Sequence, residues 1–246
     1  MEGEEGNTVN EEQLETWRQK QDELKMQLID ANTEPWQESA TFDGLKLIAG
    51  VDISFVNGTT RACVALVTCS YPSLEVTEIV TDIIDMTVPY ASGFLAFREV
   101  AFFQECLEKL KDGKPQIIMV DGNGILHQRG FGVACHLGVL TDIPCIGIAK
   151  KLMQIDGLEK DEHFQKKKTK HLKDNGDSFN LVGDSQKVWG KALKSTADSC
   201  NPVFVSVGHK ICLDTATKLV HKCCKYRIPE PVRQADILSK KKLRDS

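Results

Sequence analysis

The run Ile117-Ile118-Met119-Val120-Asp121-Gly122-Asn123-Gly124 constrains this chain most, because four apolar residues lead straight into an acid and a glycine-rich turn. A short apolar run bounded by turn signals reads as a strand covered on both faces. Ligands of such sheets gather beyond the carboxyl ends of the strands, which is where Asp121 is delivered. Gly122 and Gly124 let a ligand approach the main chain closely. Asp-Gly alone is an ordinary turn signal, so Asp121 gains meaning only if other acids converge on it.

The flanking pattern predicts the sheet around this strand. Stretches 45–55, 62–70 and 74–81 read as strands separated by Asn57-Gly58 and Tyr71-Pro72-Ser73, an antiparallel meander. Helical spacing covers 93–110 and 133–140, with a buried strand at 145–149. The order β-β-β-α-β-α-β predicts a mixed α/β sheet in which the meander feeds parallel strands with helical crossovers. Before it, Leu14, Trp17, Leu24 and Leu28 mark an amphipathic helix over 11–30, with Asn10 as N-cap and no chemical role. After it, 154–178 reads as a mobile loop or frayed helix carrying Lys166-Lys167-Lys168-Thr169-Lys170. A hairpin (179–182 and 187–193), a core strand (202–207) and a helix (214–224) follow. The whole chain is expected to be one domain over 1–246, with disordered tails at 1–9 and 237–246.

The chain has no apolar run of about 18 residues and opens on an acidic stretch, so neither a membrane span nor a signal peptide is expected. Nine cysteines without a C-x-x-C pair argue for reduced thiols in an intracellular protein, cytoplasmic with the nucleus as a second compartment. Charge is divided unequally: residues 1–149 carry 10 Lys/Arg against 23 Asp/Glu, and residues 150–246 carry 21 against 12. The second half is thus suited to face a polyanion while the first supplies carboxylates.

Asp52 lies inside the first strand with apolar neighbours on both sides, a costly place for a charge unless it is paired or binds metal. If that strand neighbours the Asp121 strand, their carboxylates meet at one sheet edge, and Glu99 on the intervening helix is the third donor. Three hard oxygen ligands from separate elements suit Mg²⁺ or Mn²⁺ rather than zinc. Lys150, just past the 145–149 strand, can offset charge on a phosphate. His209 and the nearby Asp214 are further candidates for the metal site or for proton transfer.

These acids fall in motifs that resemble the endonuclease V family, its vertebrate-like branch in particular. The resemblance rests on Gly50-Val51-Asp52-Ile53-Ser54, the run Pro89-Tyr90-Ala91-Ser92-Gly93-Phe94 continuing through Arg98-Glu99, Val120-Asp121-Gly122-Asn123-Gly124, and His127-Gln128-Arg129-Gly130-Phe131-Gly132. Ile148-Ala149-Lys150-Lys151, Val207-Gly208-His209 and Arg227-Ile228-Pro229-Glu230-Pro231 through Gln234-Ala235-Asp236 complete it. It implies a ribonuclease H-like fold and a metal-dependent endonuclease that cuts the second phosphodiester bond 3′ to inosine, using Mg²⁺ with Mn²⁺ as substitute. By residue match, Asp52, Glu99 and Asp121 are the metal-binding acids, with His209 near the metal and Lys150 at the scissile phosphate. Tyr90 is the wedge that fills the gap left by the inosine, and Gly122, Gly124, His127 and Gly132 form the base pocket. The bacterial wedge reads Pro-Tyr-Ile-Pro, where Ala91-Ser92 stand here, and the 166–170 lysine run has no bacterial counterpart. The implied partner is inosine-containing RNA, preferentially single-stranded, with some activity on deoxyinosine DNA by a monomeric enzyme. The alternative is a non-catalytic module that binds inosine-containing RNA.

Overall fold

The meander is present as β1 (Leu47–Phe55), β2 (Arg61–Ser70) and β3 (Val76–Asp85), paired antiparallel. The computed structural model describes residues 9–246, so all but the last residue of the tail expected at 1–9 lies outside the described residues. Helix α1 (Glu11–Lys25) precedes the meander, and Asn10 caps it by accepting the Gln13 N–H at 2.8 Å. Then follow α2 (Ala96–Glu108), β4 (Ile117–Asp121), α3 (Val133–Thr141), β5 (Cys145–Ala149), α4 (Glu162–His171), β6 (Ser178–Val182), β7 (Val188–Leu193), β8 (Val203–His209), α5 (Leu213–Lys222) and α6 (Glu230–Asp245). All strands join one sheet in the order β3-β2-β1-β4-β5-β8-β7-β6, with β1, β4 and β5 parallel and the rest antiparallel. This is the mixed α/β sheet predicted from the strand order, and the ribonuclease H-like fold that the family resemblance implied.

Alternation along the strands decides which residue meets which layer. In β4, Ile117 and Met119 pack among α5 and α6 residues such as Leu219 and Val232. Ile118 and Val120 pack on the other face against α2 and α3, with Val100, Phe103 and Leu137. A continuous apolar run is what a strand covered on both faces requires. The same alternation turns Asp121 and, from β1, Asp52 towards the α6 layer.

Two segments differ from the sequence reading. The lysine-bearing stretch within 154–178 contains an ordered helix, α4, capped by Asp161 and anchored by buried Phe164. The tail expected to be disordered over 237–246 forms the later turns of α6 instead. Its buried stripe is Val232, Ala235 and Ser239, with Leu238 packed beside it. Small and polar residues at those positions carry little hydrophobic signal, but they let a helix lie close on a sheet. Gly50 completes the approach: a Cβ there would sit 2.1 Å from the Pro231 carbonyl carbon. The helix can pack where it does because β1 has no side chain at that point.

Candidate metal centre and base pocket

Three carboxylates meet where β4 ends beside the Asp52 position of β1. One oxygen each from Asp52, Asp121 and Asp236 lies within 4.8 Å of the others. Asp52 and Asp121 arrive because β1 and β4 are adjacent parallel strands, with Val51 in register with Val120. Asp236 comes from α6, which also sends Ser239 to Asp52 Oδ2 at 3.3 Å. Ser54 donates to the same oxygen at 3.4 Å and shares a 2.7 Å contact with Ser239. Glu99, in the first turn of α2, is buried in the opposite layer and interacts with Asp52 and Asp121 through its charge, without being one of the three acids whose oxygens meet. Lys150, just past β5, donates to Asp121 Oδ2 at 2.5 Å and to Asp236 Oδ1 at 3.3 Å.

The electrostatics are those of acids crowded together out of water. Burial, then Asp121, pushes Asp52 up to about 7. Burial, then Asp52, pushes Glu99 up to about 8. Burial works against the Lys150 ammonium, but Asp121 and Asp236 outweigh it and hold the lysine above its ordinary value. Asp236 is opposed by burial yet ends below its usual range, because Lys240 and Lys150 favour its charge. Buried like charges are costly without a counter-ion, and this all-oxygen donor set suits Mg²⁺ or Mn²⁺.

Next to the carboxylates opens a cavity of about 240 Å³, lined by Tyr90, Gly122, Asn123, His127, Gly132 and Gln154 among others. Its walls come mostly from loops, with Gln21 of α1, Ala96 of α2 and Val133 of α3 closing it. Tyr90 is 65% exposed at the rim. Gly124 lies behind the wall rather than in it: its N–H donates to Ser206 Oγ at 2.9 Å, and a Cβ there would strike the Val207 carbonyl oxygen. Burial, then Arg129, lowers His127 to about 4, so the ring is neutral. Its Nδ1 accepts the Arg129 N–H at 3.2 Å, which assigns the ring proton to Nε2.

The structure thus brings together Asp52, Asp121 and Lys150, keeps Glu99 within electrostatic reach of both acids but outside the three-oxygen cluster, and gathers Tyr90, Gly122, His127 and Gly132 around one cavity. It does not bring His209 or Asp214 to the carboxylates. β8 runs antiparallel to β5, so His209 pairs with Cys145 at the start of β5, while Asp121 pairs with Ile148 near its end. His209 is therefore at the far end of the sheet, where Nδ1 accepts the Ile29 N–H at 3.3 Å and Nε2 faces Asp142 at 3.8 Å. Asp214 sits in the first turn of α5 and pairs with Lys191 at 2.5 Å.

Sequence reasoning passed over Asp236, although it ends the motif that begins at Arg227; placing it needed α6 to be recognised as a helix. It also passed over Gln21 of α1, whose side-chain amide donates to the carbonyls of Gly93 at 3.2 Å and Phe131 at 2.8 Å. That link ties the Tyr90 loop to the opposite wall of the cavity. Nothing local in α1 signals it, since both partners are main-chain atoms.

Fold and donor set define the class first: a ribonuclease H-like α/β protein in which acids from two parallel strands and a C-terminal helix cluster at one edge of the sheet. The pattern of the Endonuclease V family matches residues 27–237. The chain is 51% identical to human endonuclease V over 241 residues, covering 96% of this chain and 85% of the relative. It is 39% identical over 202 residues to endonuclease V of Rippkaea orientalis, covering 82% of each. The crystal structure of human endonuclease V matches with a TM-score of 0.91 at 50% identity, over 94% of this chain and 98% of that one. Ciona intestinalis endonuclease V, in complex with a 23mer DNA containing an inosine followed by a ribo-adenosine, matches with a TM-score of 0.87 at 33% identity, over 96% of this chain and 99% of that one. The chain belongs to the endonuclease V family of nucleases. No described helix is long and apolar enough to cross a membrane.

Proposed function

We propose that this protein is a Mg²⁺- or Mn²⁺-dependent endonuclease that hydrolyses the second phosphodiester bond 3′ to inosine, preferring single-stranded RNA over deoxyinosine-containing DNA. The observation that carries this reading is a junction of two sites in consecutive residues. Asp121 belongs to the carboxylate centre, and Gly122-Asn123 line the cavity beside it. A base seated in the cavity therefore holds its own backbone against the carboxylates.

Asp52, Asp121 and Asp236, with Glu99 behind them, would hold the cation, which supplies an activated water and neutralises charge at the phosphate. Lys150 keeps a positive charge beside Asp121 and Asp236, where it offsets charge building on phosphate oxygens. Tyr90 presents an exposed aromatic face to replace the stacking lost when a base leaves its neighbours, worth ~1–3 kcal/mol. His127, neutral with its proton on Nε2, has one donor to offer a purine. That donor matches the carbonyl oxygen of hypoxanthine and mismatches the amino group that adenine carries at the same position. The ribonucleotide that follows inosine in the Ciona complex supports a substrate with ribose beside the inosine.

The test is cleavage of matched single-stranded RNA and DNA carrying one inosine, with guanosine controls, in Mg²⁺ or Mn²⁺ and with Asp52→Ala alongside. Selective cutting of the inosine RNA that the variant lacks is the expected result. Inosine-dependent binding by the wild type without any cutting would replace the nuclease reading with that of a binding module, and equal cutting of guanosine strands would remove the inosine specificity.

A further inference from the structure

Beyond Lys150 the same sheet edge continues into a second cavity, of about 380 Å³, which has no place in the chemistry described so far. It lies between the segment after β5, helix α4 and the start of β8. Its lining includes Lys151, Lys160, Lys168 and Arg227 and not one carboxylate. Phe164 and Phe204, both buried, form its apolar floor. Two shared residues connect it to the sites above: Lys150, whose ammonium touches Asp121 and Asp236, and Gln154, which also lines the base cavity.

The charges are arranged to stay available. Lys168 is half-buried and held by a neutral partner, Asn201 Oδ1, at 3.3 Å. Lys166, elsewhere on the same helix, points to solvent and lies 4.0 Å from the exposed Glu162, outside the cavity lining. Arg227 donates to the carbonyls of Lys150 at 2.8 Å, Pro202 at 2.9 Å and Asn201 at 3.1 Å. It thereby ties the cavity walls together while leaving its positive charge uncompensated. A helix that keeps unpaired lysines along a carboxylate-free cavity is the arrangement that grips a nucleic-acid backbone, with cations on phosphates, while the buried Phe164 and Phe204 hold the floor in place.

We infer that this cavity binds the phosphodiester backbone of the substrate strand on the 3′ side of the scissile bond. The inference rests on the nuclease reading for its strand direction: with inosine in the base cavity and the scissile phosphate at the carboxylates, the strand that continues past Lys150 is the 3′ segment. Helix α4 is then a substrate-gripping element, and the 166–170 lysine run divides into inward Lys168 and outward lysines with no part in the grip.

The experiment compares two inosine RNAs, one ending a single nucleotide past the cleaved bond and one extended by about six nucleotides, roughly the span of a small single-strand site. The double variant Lys160→Gln/Lys168→Gln is expected to raise KM about tenfold on the extended RNA, an effect of ~1.4 kcal/mol, with kcat unchanged and KM on the short RNA moved less than about twofold. Each lost contact should flatten the dependence of log affinity on log salt by ~0.7, so by ~1.4 for the pair. Lys160→Arg/Lys168→Arg should restore both, which separates charge from folding. Equal losses on the two lengths, a loss that follows 5′ extension, or an unchanged salt slope would overturn the inference. Binding of the same RNAs to Asp52→Asn protein, read by fluorescence anisotropy, reports on the cavity even if the wild type cuts neither RNA, a result that would count against the nuclease reading alone.

Discussion

The carboxylate centre and the base cavity share the Asp121–Gly122 junction yet are built by opposite means. The centre is made of side chains, each launched from a regular element: Asp52 from β1, Asp121 from β4, Glu99 from α2 and Asp236 from α6. The cavity is lined mostly by residues of loops, in the turns after β4, the Tyr90 loop and the 153–155 segment. Charged groups forced together need rigid supports, because their repulsion and desolvation would otherwise drive them apart. A recognition wall of peptide groups needs only tethers. Gln21 provides one, and Asp156 provides another by accepting from Ser185 N at 3.1 Å and Trp189 Nε1 at 2.7 Å. The division teaches that metal chemistry here should fail when elements move, and base selection should fail when single wall or rim groups change.

The largest expected effect is on the side-chain-built centre. Asp236→Ala should lower kcat/KM on inosine RNA by about a thousandfold or more, ~4 kcal/mol, while inosine-dependent binding without metal persists. A variant keeping more than a tenth of wild-type activity would show that α6 is dispensable to the centre. Next, Gly50→Val should push α6 off β1, since even a Cβ meets the Pro231 backbone. Overpacking of this kind costs ~1–3 kcal/mol, seen as a lower midpoint in thermal or denaturant unfolding. Activity should fall with it, and a stable, fully active Gly50→Val would mean that close approach is not what places Asp236.

On the loop-built side, Tyr90→Ala should reduce kcat/KM by the stacking increment of ~1–3 kcal/mol. Its unfolding midpoint should stay where it is, because the ring is 65% exposed. A substantial loss of thermal stability would instead make Tyr90 part of the wall.

The smallest effect is a pH slope of the metal-free protein. Glu99 is raised from 4.5 to about 8 and Asp52 from 3.8 to about 7, so the folded chain keeps protons that the unfolded chain has released. The stabilisation this gives is complete below the unfolded values and is lost as pH rises through 7 and 8. His127 and His136, both lowered from 6.5 to about 4, have the opposite sense: their contribution is present above 6.5 and is lost as pH falls through 4. Between pH 6.5 and 8 the carboxylates therefore act alone among these groups, and metal-free stability should decline by up to ~1.4 kcal/mol per pH unit for each of them. Glu99→Gln should flatten the decline and saturating Mg²⁺ should abolish it; a slope indifferent to both would mean that neither carboxylate is protonated in the fold.

Much of this organisation was legible in the chain. β4 and β5 could be placed because each is a short apolar run ended by turn or charged residues, and β4 proved to be covered on both faces as such a run requires. Asp52 and Asp121 stood out as acids at apolar strands, and the motif around Tyr90 marked the rim of the cavity. α6 was not legible, since its stripe of Val232, Ala235 and Ser239 is small and partly polar, and Lys240-Lys241-Lys242 resembles a solvated tail. α4 was masked in the same way by its lysines, with Phe164 as its single buried anchor.

The sequence by itself determined the mixed sheet, the placing of Asp52 and Asp121 on apolar strands and the membership of the endonuclease V family, because these follow from local periodicity and from short motifs. Tertiary structure alone decided which residues complete the centre. Strand direction carried His209 to the opposite end of the sheet, and a glycine-permitted contact between α6 and β1 brought Asp236 in. Both outcomes depend on how distant segments pack, and packing of small residues leaves almost no trace in hydrophobic pattern.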